Sequence, residues 1–168
     1  MTKFADVKGK AESRGALERV KIPFQLSQTL LREARMNGFI GLTDYQWYLQ
    51  QLGDQPSEVN FWRPLSGKMF RALQPTEPFF FKLKKAHGDW IAGFGLYAGF
   101  IPMKVGEAWR TFGRANGVES EAQMWQRVEH YVRRNRGGGV ERDHKIGCVV
   151  LTTPVFFPES QFVRPPQD

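Results

Sequence analysis

The sequence predicts an α+β fold: a small, curved, mixed or antiparallel β-barrel-like sheet with flanking helices. Three observations carry this expectation. Apolar patterns run strand, helix, several strands, two helices, strand, which is not the strict alternation of a doubly wound parallel sheet. Residues 90–101 form one long apolar run that holds Gly93, Gly95 and Gly99, and glycine inside a strand marks a bulge, strong curvature or close approach of another backbone. Rings make up 14% of the chain, and aromatic side chains supply the largest apolar area per residue for a core.

Each element has its own signal. Residues 39–42 read as a short strand. Thr43 with Gln46 three positions later has the pattern of a capping box, opening a helix to about Leu52 that Gly53 can close. Helical spacing puts Tyr45, Tyr48, Leu49 and Leu52 on one face and turns Asp44, Trp47 and Gln51 elsewhere. Residues 59–63 read as a strand ended by Pro64, with a turn at 65–68 and a returning strand at 69–73. A second turn at 75–78 leads into a strand at 79–84, and a third at 87–89 leads into the glycine-bearing strand. Val105, Trp109 and Phe112 form a helical stripe ended by Gly113. Ser120 and Gln123 cap a longer helix to about Asn135, with Met124, Val128, Tyr131 and Val132 as its apolar face. A glycine-rich loop at 136–144 follows, then strands at 146–152 and 155–157 separated by Pro154; residues 162–166 read as the start of a linker.

The length of 168 residues fits one domain and an extension. Residues 1–35 are polar and basic and read as a partly helical or disordered extension, and residues 36–168 read as the domain. The formal charge is +7, of which +4 falls in residues 1–35, so the folded part is only mildly basic. A basic balance favours anionic partners. Cys148 is the one cysteine, which excludes a disulfide framework or a thiolate cage, and it sits in an apolar run as a buried structural thiol. No apolar run approaches the ~18–20 residues of a membrane span, and no signal peptide opens the chain. The expectation is a cytoplasmic protein without a membrane partner.

His87, His130 and His144 have no metal-ligand spacing, and the glycines miss both the dinucleotide fingerprint and the phosphate-binding loop. No catalytic residue, metal or cofactor is therefore expected. The informative stretches are residues 58–64 and 79–84, where rings alternate with Asn, Arg and Lys; rings stack on bases and cations meet phosphates. Strand alternation puts Val59, Phe61 and Arg63 on one side and Asn60 and Trp62 on the other. Asn60 and Trp62 then either face a ligand, stacking on a base and bonding its edge, or pack internally with Asn60 bonding a neighbouring loop. Arg127, Arg133, Arg134, Arg136, Arg142 and Lys145 form the densest positive region, read either as phosphate contacts or as complements to a helix dipole.

Several ordered segments carry a resemblance. Phe39-Ile-Gly-Leu-Thr-Asp-Tyr-Gln-Trp-Tyr48, Glu58-Val-Asn-Phe-Trp-Arg-Pro64, Phe70-Arg-Ala-Leu-Gln-Pro-Thr-Glu-Pro-Phe-Phe-Phe-Lys-Leu-Lys84, Ala108-Trp-Arg-Thr-Phe-Gly-Arg-Ala-Asn-Gly117 and Ile146-Gly-Cys-Val-Val-Leu-Thr-Thr-Pro-Val-Phe-Phe-Pro158 together resemble the N-terminal domain of bacterial HNH restriction endonucleases. The resemblance spans residues 39–166 and implies a PUA-like fold of the group that includes EVE and SRA domains. It implies a domain that reads double-stranded DNA for a modification-dependent restriction system in defence, by flipping a modified base into an aromatic-lined pocket. In that family a linker and a ββα-metal nuclease with His-Asn-His ligands follow. These residues hold no such segment, so cleavage would belong to an HNH nuclease domain or subunit elsewhere.

The expected roles are Trp62 and Trp47 as stacking groups, Asn60 and Asp44 as base-edge partners, and Arg63, Lys68, Arg133, Arg134 and Arg136 as phosphate contacts. Two alternatives stand beside this. One is an RNA-binding PUA-like module; the other is a small hydrolase of modified nucleosides using Lys82, Lys84, Thr76 and Glu77.

Overall fold

The computed structural model describes residues 37–136 and 139–166; the expected extension at 1–35 lies outside the described residues. Five strands are named here in chain order: β1 (Phe39–Thr43), β2 (Glu58–Arg63), β3 (Pro78–Leu83), β4 (Ile91–Lys104) and β5 (Lys145–Phe156). Three helices accompany them: α1 (Tyr45–Asp54), α2 (Val105–Phe112) and α3 (Glu121–Arg136). Together they form an α+β fold with one mixed sheet in the order β1-β3-β4-β5-β2. β1 runs parallel to β3 and the remaining pairs are antiparallel. The sheet does not close: β1 and β2 are its two edges.

Curvature comes from β4 and β5, where the register slips. β3 and β4 slip between Phe80 and Lys82, and β4 and β5 slip near Gly95 and again near Ala98. Gly93 sits at φ +153° with its missing Cβ aimed at the Val155 carbonyl, so the close approach expected from the strand glycines is present there. Bulges of this kind bend the strand that carries them, and they turn the sheet around a core of rings.

That core lies on the concave side: Trp47, Tyr48, Val59, Phe79, Phe81, Leu83, Tyr97, Leu151 and Phe156 are buried together. Phe81 stacks on Phe156 at 5.3 Å, and Trp47 meets Phe81 at 5.2 Å. On the convex side Val105, Ala108, Met124, Val128 and Val132 of α2 and α3 pack against Ile146 and Cys148. β5 thus serves both layers by alternation, Ile146 and Cys148 outward, Val149 and Leu151 inward.

Four local expectations are corrected. The N-cap of α1 is Asp44, whose Oδ1 accepts the amides of Gln46 and Trp47 at 3.1 and 3.4 Å. Thr43 turns inward, and its hydroxyl donates to the Gly41 carbonyl. α1 runs past Gly53 and ends at Gln55 in the left-handed region, φ 47°. Residues 69–73 form no strand; Phe70 and Leu73 instead drop from a loop into the core, 9% and 4% exposed. β5 continues through Pro154, because the bulge at Thr153 (φ 44°) breaks the ladder where proline has no amide to donate.

The residues read as a linker are held as well. Val163 exchanges both backbone hydrogen bonds with Ile91, Phe162 packs edge-on against Tyr48, and the Arg164 guanidinium lies 4.3 Å from the Trp90 ring centroid. Ser120 caps α3 as expected, accepting the Gln123 amide at 3.2 Å. Among the described residues no helix is long and apolar enough to cross a membrane.

Candidate nucleic-acid interface

The open seam between the two edge strands is where the sequence-selected residues gather. Gly41 of β1 leaves room for Phe79 and Phe61, since a Cβ there would collide with the Phe79 ring, so both edges lean on the same rings without pairing. At the end of the seam where β1 enters α1, a cavity of about 220 Å³ is lined by Leu42, Asp44, Trp47, Phe61, Trp62, Arg63, Pro64, Arg127 and Tyr131. Four of the nine expected site residues, Asp44, Trp47, Trp62 and Arg63, are therefore brought together.

Each wall is held by a different device. The Trp62 indole donates its N–H to the Asn116 carbonyl at 2.9 Å, which pins the ring at the tip of β2, and Tyr131 meets it edge-on at 6.1 Å. Trp47 is 5% exposed and wedged against Phe61, Phe81 and Phe156, so it forms the floor and offers an edge rather than a free face. Asp44 Oδ2 accepts from Lys84 Nζ at 2.9 Å and from the Tyr131 hydroxyl at 3.4 Å, and Arg127 Nη1 stands 3.8 Å from Oδ1. A carboxylate, a phenol and the Arg127 guanidinium thus line one cavity, with Lys84 bonded to the same carboxylate.

The charges support each other. Burial alone would push the Asp44 carboxyl upward, but the Lys84 hydrogen bond, the charges of Lys84 and Arg127 and the Trp47 amide outweigh it and hold it below the usual aspartate range. Burial works against the Lys84 ammonium too, and its bonds to Asp44 and Tyr131 overcome that and raise it above its ordinary value. Asp44 is an anion and a hydrogen-bond acceptor at neutral pH. The four acceptor positions of this carboxylate are taken by the Gln46 and Trp47 amides, Lys84 and the Tyr131 hydroxyl. An amino or imino edge of a planar ligand would therefore bond it by replacing the long Tyr131 contact at 3.4 Å, while the Trp62 and Tyr131 rings line the cavity.

The other expected residues fall elsewhere. Asn60 is fully buried behind the cavity and donates Nδ2 to Asn116 Oδ1 at 2.8 Å; of the two readings of this residue the structure shows the internal one. Asn116 in turn donates to the carbonyls of Ala108 and Gly113, so this buried amide pair fastens β2 to the turn after α2. Lys68 lies in a neighbouring trough rather than in the cavity. Arg133 and Arg134 are exposed on α3, Arg133 paired with Glu129 at 2.6 Å. The Arg136 side chain lies outside the described residues.

The proposed hydrolase set does not assemble. Thr76 and Glu77 precede β3 and Lys84 follows it, a separation of roughly 20 Å along an extended strand, while Lys82 pairs with Asp89 at 3.0 Å. Cys148 is buried, its thiol pushed up to about 11 chiefly by burial, partly offset by a hydrogen bond from Asn60. Arg127 and Tyr131 are the cavity residues that sequence reasoning did not assign to a base site, and Lys84, a member of the hydrolase alternative, instead bonds Asp44. Arg127 and Tyr131 stand four apart on α3, and that spacing was the available signal that they share a face.

No family model matches the chain, and no curated protein matches it. Among solved structures the chain is similar to the ASCH protein of Zymomonas mobilis, at 11% identity and TM-score 0.47, covering 77% of this chain and 84% of that one. A point mutant of the same protein gives 11% identity, TM-score 0.45, and coverage of 77% and 86%. Likenesses this distant carry no function to this chain.

Proposed function

We propose that this chain is a nucleic-acid-reading domain that takes one extruded base into the seam cavity. The carrying observation is the convergence of Trp62, Tyr131 and the Asp44 carboxylate on one hollow, with Arg63 and Arg127 at its mouth. Ring contact and an edge hydrogen bond offset the few kcal/mol needed to unstack and unpair a base, and the cations hold the flanking phosphates. The finer reading, supported by the sequence resemblance, is double-stranded DNA with a modified base, read for an HNH restriction nuclease domain or subunit carried elsewhere.

Fluorescence anisotropy tests this with duplexes carrying unmodified, methylated or hydroxymethylated cytosine or methylated adenine, alongside a structured RNA. Tighter binding to one modified duplex is the expected result. Preference for the RNA over every duplex would overturn the DNA reading, and negligible binding to all probes would end both.

A further inference from the structure

The cavity does not end at its own walls. Leu42, Phe61 and Arg63 also line a second trough of about 520 Å³ that continues along the seam between β1 and the loop after β2. Its floor is apolar and open, with Met69 59%, Leu42 62% and Ile40 42% exposed. Its rim carries Arg63, Lys68 and Arg71. Among the described residues none of these three cations forms an ion pair with a carboxylate. By contrast Lys84 and Arg127 are both engaged with Asp44.

An apolar floor under unpaired cations is matched to a nucleotide, not to the outside of a duplex. A paired duplex presents phosphate, sugar and, within its grooves, base edges, but its base faces are hidden in the stack, so it offers no flat apolar face to the exposed Met69 and Leu42. A strand whose bases have left the stack presents flat apolar faces and phosphates together. From this complementarity, and resting on the function proposed above, we infer that the trough takes the nucleotide next to the extruded one. Its base lies on the floor around Leu42 and Met69, the phosphate joining the two nucleotides meets Arg63 at the shared boundary, and Lys68 and Arg71 hold the next phosphate. The seam would then read a dinucleotide step, with the identity of the neighbour setting sequence context.

The test uses the full chain and single-stranded DNA oligonucleotides with one of the same modified or unmodified bases at a central position. That nucleotide, then its neighbour on each side, is made abasic in turn. An abasic neighbour on one side only should weaken binding about tenfold, in line with the loss of one stacked base. The exposed Lys68→Glu/Arg71→Glu double substitution should weaken the intact oligonucleotide, flatten its salt dependence by about 0.7 in slope, the share of one single-strand phosphate contact, and erase the penalty of the abasic neighbour.

Equal binding with either neighbour abasic would overturn the inference while leaving the extruded-base reading intact, provided the central abasic site still costs affinity. Failure of the single strand to bind when the duplex does would overturn it too, because an unpaired neighbour is required. Indifference to the central abasic site would instead strike the function itself. Unchanged affinity and salt slope in the double substitution would show that the trough serves another occupant, such as an apolar peptide segment.

Discussion

Asp44 caps α1 and anchors the polar mouth of the cavity with the same carboxylate. Substituting asparagine separates the two roles, since asparagine caps a helix about as well as aspartate but carries no charge. Because the folded-state pKa of Asp44 is depressed, the stability it contributes is present above the unfolded aspartate value and is lost as pH falls through the lower folded value. Thermal melts of the wild type should therefore show an acid-side loss of Tm, starting below about pH 4, that is smaller in Asp44→Asn. At neutral pH the cost of the substitution should stay within ~1 kcal/mol, because the Lys84 pair is partly exposed. Gly117 is the complementary case: its φ is +72° and its missing Cβ points into the Trp47 ring. Gly117→Ala should cost about 1–3 kcal/mol in chemical denaturation and shift tryptophan emission by displacing Trp47. Removing the pinned ring itself, in Trp62→Ala, should weaken binding of the tightest nucleic-acid probe about tenfold or more, as read by anisotropy.

At the scale of elements, the two long strands decide the shape. A cavity at the seam exists because β4 and β5 bend enough to bring β1 and β2 toward each other yet leave them unpaired. Gly93 is where β4 can least accept a side chain, as its backbone is in a region that favours glycine and faces the Val155 carbonyl. Gly93→Ala should destabilise by at least ~1–3 kcal/mol. Gly67, with nothing near its missing Cβ and no positive φ, should accept alanine within ~0.5 kcal/mol. Equal urea midpoints for the two variants would contradict this account of the bend. The strand glycines announced that curvature in the sequence, and the period-two split of β2 was equally legible. Hidden from that reading was Pro154 inside one strand, because a bulge removes the donor that proline lacks and only the partner strand's register creates the bulge.

For the molecule as a whole, the single cysteine reports folding. Cys148 lies between the sheet and the outer helices, and burial pushes its thiol up to about 11. A thiol reagent at mild alkaline pH should leave the native protein unlabelled and label it in step with denaturant unfolding. Labelling at native conditions comparable to that of a free thiol would show that the layer between sheet and helices opens.

The amino-acid sequence alone determined the fold class, the order of helices and strands apart from the strand expected at 69–73 and the break at Pro154, the curvature of the glycine-bearing strand and the two faces of β2, because these depend on local periodicity and on what glycine and proline permit. It also marked out Asp44, Trp47, Trp62 and Arg63 as chemistry-bearing. The tertiary structure decided which of these meet. Lys84 joins Asp44 across 40 positions and Tyr131 joins it across 87, while Asn60 is claimed by Asn116 from 56 positions away. Such long-range partners leave no periodic trace in the chain: whether a polar side chain faces a ligand or another buried amide depends on what the folded sheet brings beside it.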